Sequence, residues 1–94
     1  MGARYIKCLT FDNSGDVKSV EYSNTISGET VGTKTKQDVI DDIMRGKEYE
    51  TAVRKTDEWR TEEVRVHDGE WLRTDDEKKS EDDLGDVPDC TDRK

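Results

Sequence analysis

Arg73 combines a charged group with nearby counter-charges, since Asp75, Asp76 and Asp83 stand within its reach and Trp71 lies beside it. A planar guanidinium forms two parallel hydrogen bonds with one carboxylate. Two roles follow: a staple that ties the acidic C-terminal stretch to the last strand, or recognition of an anionic ligand. The staple is the expected role. Leu84, Val87 and Pro88 punctuate that acidic stretch and are expected to anchor it to a folded body.

Other candidate groups lead less far. His67 is the sole histidine and stands next to Asp68-Gly69, on the side opposite Val64 and Val66. A general base requires a pocket and an orienting partner, so an exposed hairpin histidine is expected. Cys8 or Cys90 could act as a nucleophile only beside an activating base. Two cysteines make no disulfide framework, and in a reducing cytosol both are expected as free thiols; the alternative, a bridge, would close nearly the whole chain. Asp75, Asp76, Asp82, Asp83 and Asp86 could supply oxygens to calcium, but match no EF-hand spacing, and Lys78 and Lys79 interrupt them. Asp12-Asn13-Ser14-Gly15-Asp16 lacks a distal bidentate Glu and reads as turn chemistry. Two cysteines and one histidine far apart form no recognised zinc set, and no phosphate-cradling glycine motif is present. Neither metal, cofactor nor catalytic residues are expected. Trp59, between Glu58 and Arg60, serves either local packing or contact with a partner.

The composition limits the classes of partner. Among 94 residues, 24 acidic side chains face 16 basic ones, for a net charge of −8. Binding nucleic acid needs Lys and Arg to neutralise phosphates, and an anionic membrane surface is disfavoured for the same reason. No apolar run is long enough to span a bilayer, and residues 1–5 show no signal-peptide core, so a cytoplasmic location is expected. Asp outnumbers Glu, which fits a halophilic, salt-adapted proteome, while nine Lys against seven Arg fit it less well. With 29% hydrophobic and 43% charged residues, a chain this short has a limited core.

The elements that position these groups follow from periodicity and turn chemistry. Residues 5–11 and 17–22 read as an antiparallel hairpin around the 12–16 turn. Residues 23–34 hold no sustained period and read as a loop. Thr35 opens a helix as its cap, with Asp38 completing a box; Val39, Ile40, Ile43 and Met44 form its apolar stripe, Asp41 and Asp42 its outer side, and Gly46 its stop. Residues 49–53 read as a third strand and 55–58 as a charged connector. A strand over 59–67 is followed by Asp68-Gly69, a type I′ hairpin signal, and by a last strand over 70–74. The expected fold is a single α+β domain over residues 1–90 in the order ββαβββ, a curved antiparallel sheet with one helix on one face. Residues 75–82 form an acidic linker, 83–90 a docked segment folded back on the body, and 91–94 a disordered tail.

The segments Trp71-Leu72-Arg73-Thr74-Asp75 and Asp83-Leu84 to Val87-Pro88 and Cys90 resemble a small bacterial, archaeal and phage family catalogued as domain of unknown function family 3892. Asp83 stands where that pattern has Asn, and Val87 where it has Leu. The resemblance spans roughly residues 3–90 and implies that the tail belongs to the domain, with Arg73, Asp75 and residues 84–88 packed together. It implies no activity.

A non-enzymatic interaction or accessory module that meets a protein partner is the expected function, as a monomer or weak homodimer. The alternative is a binder of a small, nucleotide-like ligand in a host–phage setting, with residues 23–34 as a lid.

Overall fold

A computed structural model describes residues 3–75 and 81–92. Most of the expected acidic linker, Asp76 included, and the last two residues of the expected tail lie outside the described residues. Strand β1 (Arg4–Phe11) and strand β2 (Val17–Ser23) form an antiparallel hairpin. Asp12 closes its turn, its Oδ1 accepting from the Ser14 and Asp16 amides at 2.8 and 3.1 Å. A bulge between Ile6 and Cys8 breaks the alternation of β1. Ile6 and Leu9, three positions apart, are both buried in the hydrophobic core, and Leu9 stands opposite Val20. The extra residue resets the pleat.

The end of the expected loop is a strand, β3 (Gly32–Thr35), antiparallel to β2. Its four residues bury no apolar side chain, so no hydrophobic period marks it. Helix α1 (Lys36–Met44) then begins at Thr35, whose hydroxyl accepts from the Asp38 amide at 3.1 Å. It ends with Gly46 at φ +95° and Gly46 N and Lys47 N donating to the Ile43 and Asp42 carbonyls at 3.0 and 2.9 Å.

The apolar stripe differs from expectation on both flanks. Val39 and Ile40 are buried and Ile43 is partly buried, but Met44 is 69% exposed and Asp42 is the buried flank residue. On a helix these two flanks lie about 100° to either side of the stripe, so only the neighbouring elements decide which is covered.

Strand β4 (Tyr49–Lys55) pairs with β1 in parallel, through Arg4↔Tyr49, Tyr5↔Glu50 and Ile6↔Thr51. The sheet is therefore mixed, not antiparallel as expected. The helix is the reason: β3, α1 and β4 make a crossover, which returns the chain parallel to its starting strand. A turn at Thr56 and Asp57, both at positive φ, leads into strand β5 (Glu58–Glu63), antiparallel to β4. The charged connector is thus a tight hairpin turn, and the five-stranded order is β3-β2-β1-β4-β5.

The strand expected over residues 59–67 is interrupted at the buried Val64, whose amide donates to the Tyr49 carbonyl at 2.9 Å. Beyond it, strand β6 (Arg65–His67) and strand β7 (Trp71–Arg73) form a separate two-stranded sheet around Asp68 and Gly69. The order is thus βββαββββ rather than ββαβββ, in an α+β domain with one helix.

Residues 81–92 lie against this body. The Asp83 amide donates to the Leu72 carbonyl at 2.8 Å, and the Leu9 amide donates to the Pro88 carbonyl at 2.9 Å. β1 pairs with β4 only as far as Ile6, and Asp89 bridges Leu9 just beyond. Leu84 and Val87 enter the core with Ile6, Leu9, Val39 and Leu72. Residues 90–92, partly expected as disordered tail, form a short 3₁₀ turn. No helix is long and apolar enough to cross a membrane among the described residues.

Candidate functional site: a closed tail, a tryptophan cleft and an open sheet edge

Strand β7 carries Arg73 inward, where it is 1% exposed. Its Nε and Nη2 donate to the two Asp75 oxygens at 2.8 and 2.9 Å, a bidentate fork. Nη1 donates to the Glu81 carbonyl at 2.9 Å, and Nη2 lies 3.5 Å from Asp83 Oδ2. Asp75 and Asp83 remain partly open to solvent. The guanidinium is enclosed by its own chain, and an anionic ligand would have to displace these carboxylates.

Asp82, weighed in the sequence as a linker acid and as one of five candidate calcium oxygens, accepts three long-range hydrogen bonds. One oxygen accepts from the Leu72 amide at 2.9 Å. The other accepts from the Val17 amide at 3.0 Å and from Lys36 Nζ at 2.8 Å. Lys36 Nζ also stands 4.5 Å from the centre of the Trp71 ring. One carboxylate thus joins β2, α1 and β7. Nothing in its acidic surroundings distinguishes it in the sequence.

A second buried polar group was also missed. Tyr49 donates to Asp42 Oδ2 at 2.6 Å, and Arg4 Nη1 donates to Asp42 Oδ2 and to the Tyr49 hydroxyl oxygen, each at 3.1 Å. Burial, then the bond to Asp42, pushes the Tyr49 hydroxyl up to about 12. Burial alone would push the Asp42 carboxyl up, but the Tyr49 bond and the charges of Lys47, Lys34 and Arg4 hold it below its ordinary value.

His67 is half-buried rather than exposed, with Nε2 3.3 Å from Asp68 Oδ2. Trp59 projects from β5, 38% exposed, with Lys7 Nζ 3.9 Å from its ring centre. It borders a cleft of about 350 Å³ with Ala52, Arg54, Pro88 and residues 27–29. Leu84 is buried, whereas the Pro88 side chain stays exposed and only its carbonyl is docked. Trp59 and Pro88 thus share one cleft, while Trp71, Arg73 and Asp75 lie on or just after β7, against which Asp83 and Leu84 of the returning segment dock.

The expectation of free thiols is overturned: Cys8 and Cys90 form a disulfide across a sequence separation of 82. Pairing of Asp89 with Leu9 carries Cys90 to the strand that holds Cys8. Glu21, opposite Cys8 on β2, brings Oε2 to 3.3 Å from Cys8 Sγ.

Strand β5 forms one end of the sheet, and all six of its residues are exposed. The Val64 N–H bond to Tyr49 sets the alternation of the β4–β5 ladder. Residues 58, 60 and 62 then bond to β4, and the amides of Trp59, Thr61 and Glu63 turn outward.

Comparison with family models, curated proteins and solved structures returned no match.

Proposed function

We propose that this chain is a non-enzymatic interaction module whose β5 edge receives an extended, basic segment of a protein partner. The outward amides of Trp59, Thr61 and Glu63, on a terminal strand exposed along its length, carry this reading. An added strand gains main-chain hydrogen bonds, and side-chain pockets select its sequence. Trp59 and its cleft offer an anchor at one end of the edge.

Charge favours a foreign partner over a second copy. β5 carries Glu58, Glu62 and Glu63 against Arg60, within a chain of net charge −8. Antiparallel self-pairing centred on Arg60, a register that the outward amides allow, would set Arg60 opposite its own copy and Glu58 opposite Glu62, and like charges across strands are destabilising. A strand with Lys or Arg at alternate positions turns the same charges into selectivity. The second reading, a nucleotide-like ligand against Trp59 beneath residues 23–34, has the cleft for it. However, Lys7 already covers the indole and donates to the Ile26 carbonyl.

The returning C-terminal segment is, in this proposal, a closure of the domain rather than its binding surface. Kinship with domain of unknown function family 3892 belongs to the same proposal, supported by residues 71–75 and 83–90 alone. In the cytoplasm, the location expected, reducing thiols would open the disulfide.

The test is an NMR titration with an extended peptide alternating Lys with Val and Thr. Amide shifts are expected at residues 58–63, and Thr61→Pro should abolish binding while leaving the β4–β5 ladder intact, because that amide points outward. Equal binding by the proline variant, or none by the native chain, would overturn the proposal.

A further inference from the structure

We propose that Cys8 and Cys90 alternate between the disulfide and, once reduced, a site for a soft divalent cation of the zinc type, with Glu21 as third ligand. Three elements converge here: β1 supplies Cys8, β2 supplies Glu21 from the paired position, and the 3₁₀ turn supplies Cys90. One ligand atom from each lies within 4.8 Å of the others, and no other such group occurs among the described residues.

The chemistry of the three groups selects the ion. Two thiolates and a carboxylate form a mixed sulfur and oxygen set suited to zinc, with a fourth position left to water. At ordinary zinc–ligand lengths, tetrahedral geometry sets sulfur and oxygen about 3.6 Å apart and the two sulfurs about 3.8 Å apart. Glu21 Oε2 already stands 3.3 Å from Cys8 Sγ, so the main movement needed is separation of the sulfurs. Cys90 is half-buried, in a single short turn, and can supply it by rotating its side chain. Thr30 Oγ1 donates to the other Glu21 oxygen at 3.4 Å and so orients the carboxylate.

The position of Glu21 gives the cation a purpose. A carboxylate against a thiolate is two negative charges side by side, which favours keeping the proton on sulfur. A divalent cation removes that conflict. Two small thiols, or one dithiol, deliver two electrons and two protons to the S–S bond and leave as a disulfide. The cation then displaces both thiol protons from Cys8 and Cys90. The chain end would thus stay tied to β1 covalently in an oxidising medium and by coordination in a reducing one.

The protein, reduced with a phosphine without oxygen, can be titrated with Co²⁺ as a spectroscopic stand-in and then challenged with Zn²⁺. One ion per chain is expected, with a thiolate-to-cobalt charge-transfer band that Zn²⁺ abolishes and that Cys90→Ser and the disulfide form lack. Glu21→Gln should weaken binding by about tenfold or more, at least the cost of losing an outer-shell partner, with circular dichroism confirming its fold. No charge-transfer band in the reduced chain, or unchanged affinity in Glu21→Gln, overturns the proposal. If reduction unfolds the domain, the cation should restore the folded spectrum, and failure to do so overturns it equally.

Discussion

Asp42 and Tyr49 each tie the stability of this domain to pH. The folded chain holds the Tyr49 proton more tightly than an unfolded one, the hydroxyl being raised from 10.0 to about 12 by burial and by the Asp42 carboxylate. Its contribution to stability is therefore complete below pH about 10 and lost as pH rises through about 12. For Asp42 the sign reverses. Its carboxyl is held below the ordinary 3.8, so its contribution is present above pH about 4 and falls away as the medium becomes more acidic. Tyr49→Phe should flatten the alkaline limb of a stability–pH profile from chemical denaturation, and Asp42→Asn the acid limb. Unchanged limbs would show that other groups govern both.

Among the elements, the segment over residues 81–90 depends on a few directed contacts. Its apolar anchors are only Leu84 and Val87, so the Arg73 fork and the Asp82 carboxylate must fix its path. Replacing Arg73 by Ala removes an enclosed guanidinium together with its bonds to Asp75 and the Glu81 carbonyl and its approach to Asp83. Both carboxylates are partly solvated already, so the cost should lie near the low end for a broken buried pair, about 3 kcal/mol. Thermal unfolding should shift down by about 10 °C or more, and hydrogen exchange at Asp83 and Leu9, whose amides bond across this segment, should accelerate. Retention of both protections would mean that Leu84, Val87, the Asp82 carboxylate and the Cys8–Cys90 disulfide hold the segment without the fork.

At the scale of the whole molecule, the disulfide compensates for a small core. Only 29% of the residues are hydrophobic and the chain is strongly acidic, so self-repulsion and limited burial both work against the folded state. A link across a separation of 82 residues removes unfolded-state entropy equivalent to about 4–5 kcal/mol. Reduction in metal-free buffer should lower the melting temperature by roughly 20 °C, and Cys90→Ser should match it. The disulfide and the Arg73 fork restrain one segment, so their effects should not add. A melting temperature indifferent to reduction would leave the link without this role.

Features closed within a few residues were legible from the amino-acid sequence: the Thr35 cap, the Gly46 stop and the Asp68-Gly69 turn. Each depends on a side chain or a φ angle acting on its own neighbourhood. So did the existence of one helix among strands. The mixed sheet, the Cys8–Cys90 bond, the choice of Asp42 over Met44 as the covered flank, and the central place of Asp82 were decided only by tertiary structure. Each joins groups far apart in the chain. In a sequence this rich in Asp, a carboxylate that ends beneath a lysine and two amides looks the same as one that ends in water. Only packing, which removes water from one and leaves it on the other, makes them different.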